Sequence, residues 1–130
     1  MPIMNEWYAE GRVFLTRFVG EVTLEEMIVS SQEGTALSNM GRAPVYNLID
    51  LTQLEHFPLR IPDFQEVTLG GTSRKLEWII VYGVPGRLSA FLASMFNLIM
   101  HRNYLVVASL DEALRVIDRL ENQSHAAAGH

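Results

Sequence analysis

Cysteine is absent from all 130 residues. Disulfides, thiolate metal sites and cysteine nucleophiles are therefore excluded together. The absence suits a reducing compartment, and a cytoplasmic location is expected. Basic residues are scarce: 10 Lys and Arg stand against 15 Asp and Glu, for a formal net charge of -5. A surface of that sign repels phosphate backbones, so nucleic acid is not expected as a partner. No apolar run approaches the roughly 20 residues that a membrane span needs. The stretch Met1 to Tyr8 carries Glu6 and no basic segment, so it does not read as a signal peptide. A glycine-rich phosphate loop is also missing. GVPGR, Gly83 to Arg87, has neither the lysine of a P-loop nor the dinucleotide-binding spacing, and no cofactor is expected.

What is present is a folding composition. Hydrophobic residues make up 48% and charged residues 19%, which separates the chain from disordered sequences. Its length fits one domain, expected over residues 1–122. The end, NQSHAAAGH, lacks periodicity, and 123–130 is expected to be a flexible tail. His125 and His130 within it have no frame to hold a metal geometry.

Residues Arg12 to Val19 alternate with apolar groups on both sides, as in a strand covered on both faces. Trp7 and Tyr8 belong to a preceding strand, with Glu10-Gly11 as the turn. TLEE, Thr23 to Glu26, is a capping box opening a helix to about Leu37, with Met27, Ile28, Ser31 and Thr35 expected to face inward. Gly34 weakens that helix by about 1 kcal/mol relative to alanine. Pro44 to Leu51 reads as a buried strand and Pro62 to Leu69 as a short helix. Glu77 to Gly83 is a strand, Arg87 to His101 a helix and Tyr104 to Ala108 a strand. SLDE, Ser109 to Glu112, is a second capping box, opening a helix to Leu120 with Ala113, Leu114, Ile117 and Leu120 inward. The order β-β-α-β-α-β-α-β-α predicts an α/β domain: a mixed, mostly parallel sheet of about five strands packed with about four helices.

The chain resembles STAS domains, the fold of bacterial anti-sigma-factor antagonists, and more narrowly the SpoIIAA-like group, whose fold is also compared with lipid-binding CRAL-TRIO domains. Three features carry the resemblance: the element order from Trp7 to Leu120, the strand end LIDLT at Leu48 to Thr52, and VVASLDEAL at Val106 to Leu114. The resemblance implies a regulatory protein-binding role. In the antagonists a second motif, Asp-Ser-Ser-Gly, opens a helix, and its serine takes a regulatory phosphate. The matching start here is PDFQEV, Pro62 to Val67. Asp63 stands at the acidic position, but Phe64 and Gln65 occupy the hydroxyl positions, and neither can be phosphorylated.

Asp50 and Thr52 admit two readings. They form an Asx-turn, with the carboxylate bonded to its own local backbone. Alternatively they belong to an exposed recognition loop at the carboxyl end of a parallel strand, where α/β folds place ligands. Asp50 with His56 or His101 would also supply acid–base chemistry, and Arg87, between a strand and a helix start, suits an anion. His101 equally suits a helix C-terminus, where a cation opposes the dipole. The expected helix 88–100 is apolar over more than one stripe, Phe91 and Met95 included. The surplus points to packing within the chain, a homodimer, or an apolar ligand. The leading expectation is a non-enzymatic binding domain that engages a protein or a small apolar ligand. Its surface joins Asp50, Thr52 and His56 to Asp63, Phe64 and Arg87. One alternative is a carrier of a lipid-like molecule under helix 88–100. A second is a small enzyme using Asp50 or His56.

Overall fold

The computed structural model describes residues 3–56, 73–90 and 103–128. Strands β1 (Ile3–Ala9) and β2 (Val13–Glu21) form an antiparallel hairpin. Helix α1 (Leu24–Met40) leads to the long strand β3 (Val45–His56). Then come β4 (Leu76–Tyr82), a 3-10 turn at Gly86–Leu88, β5 (Asn103–Val107) and helix α2 (Leu110–Ala128). The five strands lie side by side in chain order, and every pair after the hairpin is parallel. This is the mixed, mostly parallel α/β sheet that the element order predicts. The two further helices expected at 62–69 and, past Ala90, up to His101 lie outside the described residues.

The first capping box forms in full and the second in part. The Thr23 hydroxyl accepts from the Glu26 N–H at 3.2 Å, and the Glu26 carboxylate accepts from the Thr23 N–H at 2.8 Å. At α2 the Ser109 hydroxyl accepts from the Glu112 N–H at 3.2 Å, while the Glu112 carboxylate reaches one residue further back, to the Ala108 N–H at 2.9 Å. These bonds satisfy helix-start N–H groups that no carbonyl of the helix itself can reach. The far end of α1 is closed by Lys75, whose ammonium donates to the carbonyls of Asn39 at 2.7 Å and Gly41 at 3.0 Å. A cation there also opposes the helix dipole. Helix α2 continues to Ala128, beyond the expected end at Leu120. The Ala126–Ala128 run explains the extension, since alanine has the highest helix propensity.

The sheet has two unlike faces. On one, α2 sets Ala113, Val116 and Ile117 against Val13, Leu15, Tyr46, Leu48, Ile80 and Tyr82. Val116 joins this stripe although the apolar spacing did not single it out. On the other face, α1 buries Met27, Ser30, Gly34 and Ser38, a stripe offset from the expected one. Ile28, Ser31 and Thr35 are only half-buried. Small residues win these positions because the helix lies close to the sheet. A Cβ on Gly34 would stand 3.3 Å from the Phe14 ring. The expected helical cost of Gly34 is thus offset by close packing that a larger residue would prevent.

A polar seam runs under α1. Asn47 donates its amide to the Phe14 carbonyl at 3.2 Å and to the Thr16 hydroxyl at 3.0 Å. The Thr16 hydroxyl donates to Asn5 Oδ1 at 2.6 Å, and the Asn5 amide donates to the Ser30 hydroxyl at 3.0 Å. Among the described residues no buried side-chain N or O is left without a partner. The seam therefore costs little in desolvation and orients α1 on β1, β2 and β3.

Ile80 lies in β4 with no exposed surface, between β3 and β5, and packs against the α2 face. Ile80→Ala is expected to cost about 2–5 kcal/mol, the range for emptying a buried aliphatic site. Chemical denaturation of the two proteins checks this. A loss below about 1 kcal/mol would show a site able to collapse around the gap.

Candidate functional site

Asp50 does not end its strand. The ladder with β2 carries β3 on to His56, through Val19 opposite Gln53 and Glu21 opposite His56. The expected end at Leu51 is corrected accordingly, because β2 itself extends to Glu21 and supplies partners for the extra residues. The strand nevertheless changes course just after Asp50. Arg17 pairs with Asp50, and Val19 pairs with Gln53, so β3 spends one residue more than β2 over this step. That is a β-bulge, and it shifts the period of two. Leu51 and Leu54, three positions apart, both join the α1-side core.

The Asp50 carboxylate organises the bulge. Its Oδ1 accepts from the Thr52 N–H at 2.8 Å and from the Thr52 hydroxyl at 2.6 Å. Oδ2 lies 3.6 Å from Arg17 Nε. The register places Arg17 of β2 and Tyr82 of β4 on either side of Asp50, and the Tyr82 hydroxyl approaches the same carboxylate. Burial alone would push the Asp50 pKa up. The Thr52 bonds, Tyr82 and Arg17 outweigh it, and the net result lies below the ordinary carboxylate value. Tyr82 is pushed up to about 12, first by burial and then by the neighbouring Asp50 charge. Asp50 thus stays ionised and fully engaged. The Asx-turn reading holds in its geometry, although the turn sits inside a strand.

Gly83 completes the arrangement. It leaves β4 at φ +73, a left-handed conformation that glycine adopts without strain. A Cβ there would fall 2.3 Å from Thr52 Cγ2 and 2.9 Å from the Thr52 nitrogen. The backbone of one strand end therefore presses directly on the residue that holds Asp50.

The other sequence candidates disperse. His56 is exposed, six residues beyond Asp50 on the same extended strand. At about 3.3 Å per residue the two are roughly 20 Å apart and form no acid–base pair. Arg87 is exposed and donates from Nη2 to the Glu55 carbonyl at 2.6 Å, so it ties the end of β3 to the turn after β4. Asp63, Phe64, Phe91, Met95 and His101 lie outside the described residues. Among the described residues no group of three or more His, Asp and Glu side chains gathers as a metal site requires. No described helix is long and apolar enough to cross a membrane.

Arg17 and Tyr82 are the members of the cluster that sequence reasoning missed. A signal for each was available. Arg17 interrupts an otherwise apolar alternation, and a charge at such a position needs a counter-charge. Tyr82 closes the run WIIVY, and a buried phenol needs a polar neighbour.

The architecture defines the class first: a single α/β layer system whose polar cluster sits near the carboxyl ends of parallel strands. Solved structures then specify the fold. The anti-sigma-factor antagonist SpoIIAA in its unphosphorylated form is similar at a TM-score of 0.55 and 14% identity, covering 92% of this chain and 97% of that one. A protein of the DUF3478 family with a SpoIIAA-like fold, from Shewanella loihica, is similar at a TM-score of 0.60 and 19% identity, covering 87% and 90%. The fold is SpoIIAA-like. No family model and no curated protein sequence matches the chain.

Two outcomes follow from the Asp50 geometry. Because the folded pKa is lowered, the unfolded chain binds the proton first as pH falls. The stabilisation is present above the ordinary aspartate value of about 3.9 and is lost as pH drops through the lowered folded value. Denaturation midpoints measured from neutral to acid pH should fall more steeply in the wild type than in Asp50→Asn, and equal slopes would contradict this. Gly83→Ala should destabilise by about 1–3 kcal/mol from backbone strain alone. The contact with Thr52 adds to that, and an unchanged melting temperature would show that the turn rearranges freely.

Proposed function

We propose that the chain is a non-enzymatic regulatory binding domain that acts through a protein partner. The reading takes residues 1–122 as the working unit, in the cytoplasm. The observation that carries it is the state of Asp50. A general base needs a pKa near the working pH and a free lone pair facing substrate. Asp50 is held ionised below the usual range and engaged by Thr52 and Arg17. Those contacts give it the role of a fastener within the middle strand of the sheet. What the bulge offers to solvent is the exposed pair Thr52 and Gln53, with exposed Glu55 and His56 beyond.

The SpoIIAA-like fold supports the same reading, since that solved relative is an anti-sigma factor antagonist. The proposed partner surface joins the Thr52–His56 edge to the segment at Asp63 and Phe64. It lacks the phosphorylatable serine, so it is permanently competent instead of being switched by charge. Phe64 then serves as a fixed apolar contact. Native mass spectrometry of the protein purified from its own cells is the discriminating experiment. A protein partner bound at fixed stoichiometry supports the reading, and a retained apolar small molecule would favour a carrier instead.

Phosphopeptide mapping of that preparation is expected to show no phosphate at residues 62–67, because a kinase needs a hydroxyl and Phe64 and Gln65 have none. Phosphate on Thr52 would show a switch that has moved and would overturn the permanently competent surface. With the captured partner in hand, Phe64→Ala should weaken binding by about tenfold or more, as truncating a buried aromatic anchor does.

A further inference from the structure

β1 is covered on one face only. Its α1 side carries Ile3, Asn5 and Trp7, and these meet the helix or the Phe14 ring. On the opposite face α2 packs over residues of β2 to β5, and among the described residues no β1 side chain joins that cluster. Met4 is 40% exposed and Tyr8 50% exposed there, with exposed Glu6 between them. Arg17 stands opposite Met4 in the hairpin register, so it borders the same strip.

The strip carries one charge of each sign. Arg17 Nε lies 3.6 Å from Asp50 Oδ2, and the Arg17 side chain is still 35% exposed, so it can meet a second carboxylate from the solvent side. Glu6 has no hydrogen bond or ion pair among the described residues. Two large apolar side chains, Met4 and Tyr8, flank these charges. A surface with its own complement at short distance fits a two-fold axis, where residue i of one copy meets residue j of the other and the reverse.

We propose that this strip is where a second copy of the chain docks, with Glu6 of each protomer paired to Arg17 of the other around a centre of Met4 and Tyr8. The charge pattern selects the partner. A foreign protein would need a matching plus-and-minus pair at this spacing, whereas a second copy has one by symmetry. Tyr8 and Met4 supply the area that two exposed ion pairs lack, because surface pairs alone contribute little. This surface is separate from the Thr52–His56 edge. The inference does not rest on the proposed function, and self-association is measured without any partner present.

Charge reversal tests it with an internal control. In Glu6→Arg every cross-pair becomes Arg against Arg, and in Arg17→Glu every cross-pair becomes Glu against Glu. Mixed together, the two variants form heterodimers in which both pairs are again opposite in sign. Sedimentation velocity over a concentration series is expected to show a wild-type dimer and at least about tenfold weaker association for each variant alone, since like charges facing each other across an interface oppose it. The equimolar mixture should regain dimer. A wild type that stays monomeric at about 1 mM overturns the proposal. So does a variant that dimerises as tightly as the wild type, or a mixture of folded variants that stays monomeric. Circular dichroism verifies folding. If Arg17→Glu unfolds because Asp50 loses its cation, Glu6→Arg alone decides, since the Glu6 side chain is exposed and makes no hydrogen bond or ion pair among the described residues: undiminished dimer in that variant places the interface elsewhere.

Discussion

A single carboxylate, Asp50, sits inside the ladder of the middle strand, and the course of that strand depends on how it is satisfied. Asp50 draws the Thr52 N–H and hydroxyl to one oxygen and faces Arg17 with the other. Turning Thr52 back toward Asp50 inserts the bulge, and the bulge sends Leu51 and Leu54 to the same core. The neighbouring strand must then leave past Thr52 with no room for a side chain, which explains glycine at position 83. A charge taken out of water is tolerable only when it is paired and hydrogen-bonded, and here each requirement is met by a different strand.

The two sheet faces solve the packing problem differently. Under α2 the contact is apolar, built from Val13, Leu15, Tyr46, Leu48 and Ile80. Under α1 it is a close approach over small residues, with the Asn5–Thr16–Asn47 seam providing direction that apolar contact lacks. A further tie links the hairpin to the last helix, where the Arg12 guanidinium pairs with Glu121 and also donates to the Pro44 carbonyl at 3.2 Å. The result is a stiff platform whose polar cluster is occupied with holding the fold.

Much of the fold was legible because its signals act within a few residues. Thr23 with Glu26, and Ser109 with Glu112, announce helix starts through bonds that span one turn. The apolar run around Ile80 marks a covered strand, and Gly11 marks the hairpin turn at φ +78. The inward stripe of α1 was misjudged because the apolar Ile28 looks like a core residue. The helix instead needed Ser30, Gly34 and Ser38 against the sheet to come near Phe14. The end of β3 was misjudged because a charged residue reads as a boundary until a counter-charge is known to stand beside it.

Sequence alone determined the order of elements, both capped helix starts and the mostly parallel sheet. Each follows from local hydrogen bonding or from a short apolar period. Tertiary structure alone decided that Arg17 and Tyr82 flank Asp50, that His56 stands far from it, and that Glu6, Met4 and Tyr8 remain uncovered. The reason is register. Which residue of one strand lies opposite which residue of another is settled by the pairing of whole strands across long stretches of chain, and a slip of one position would turn every side chain to the other face.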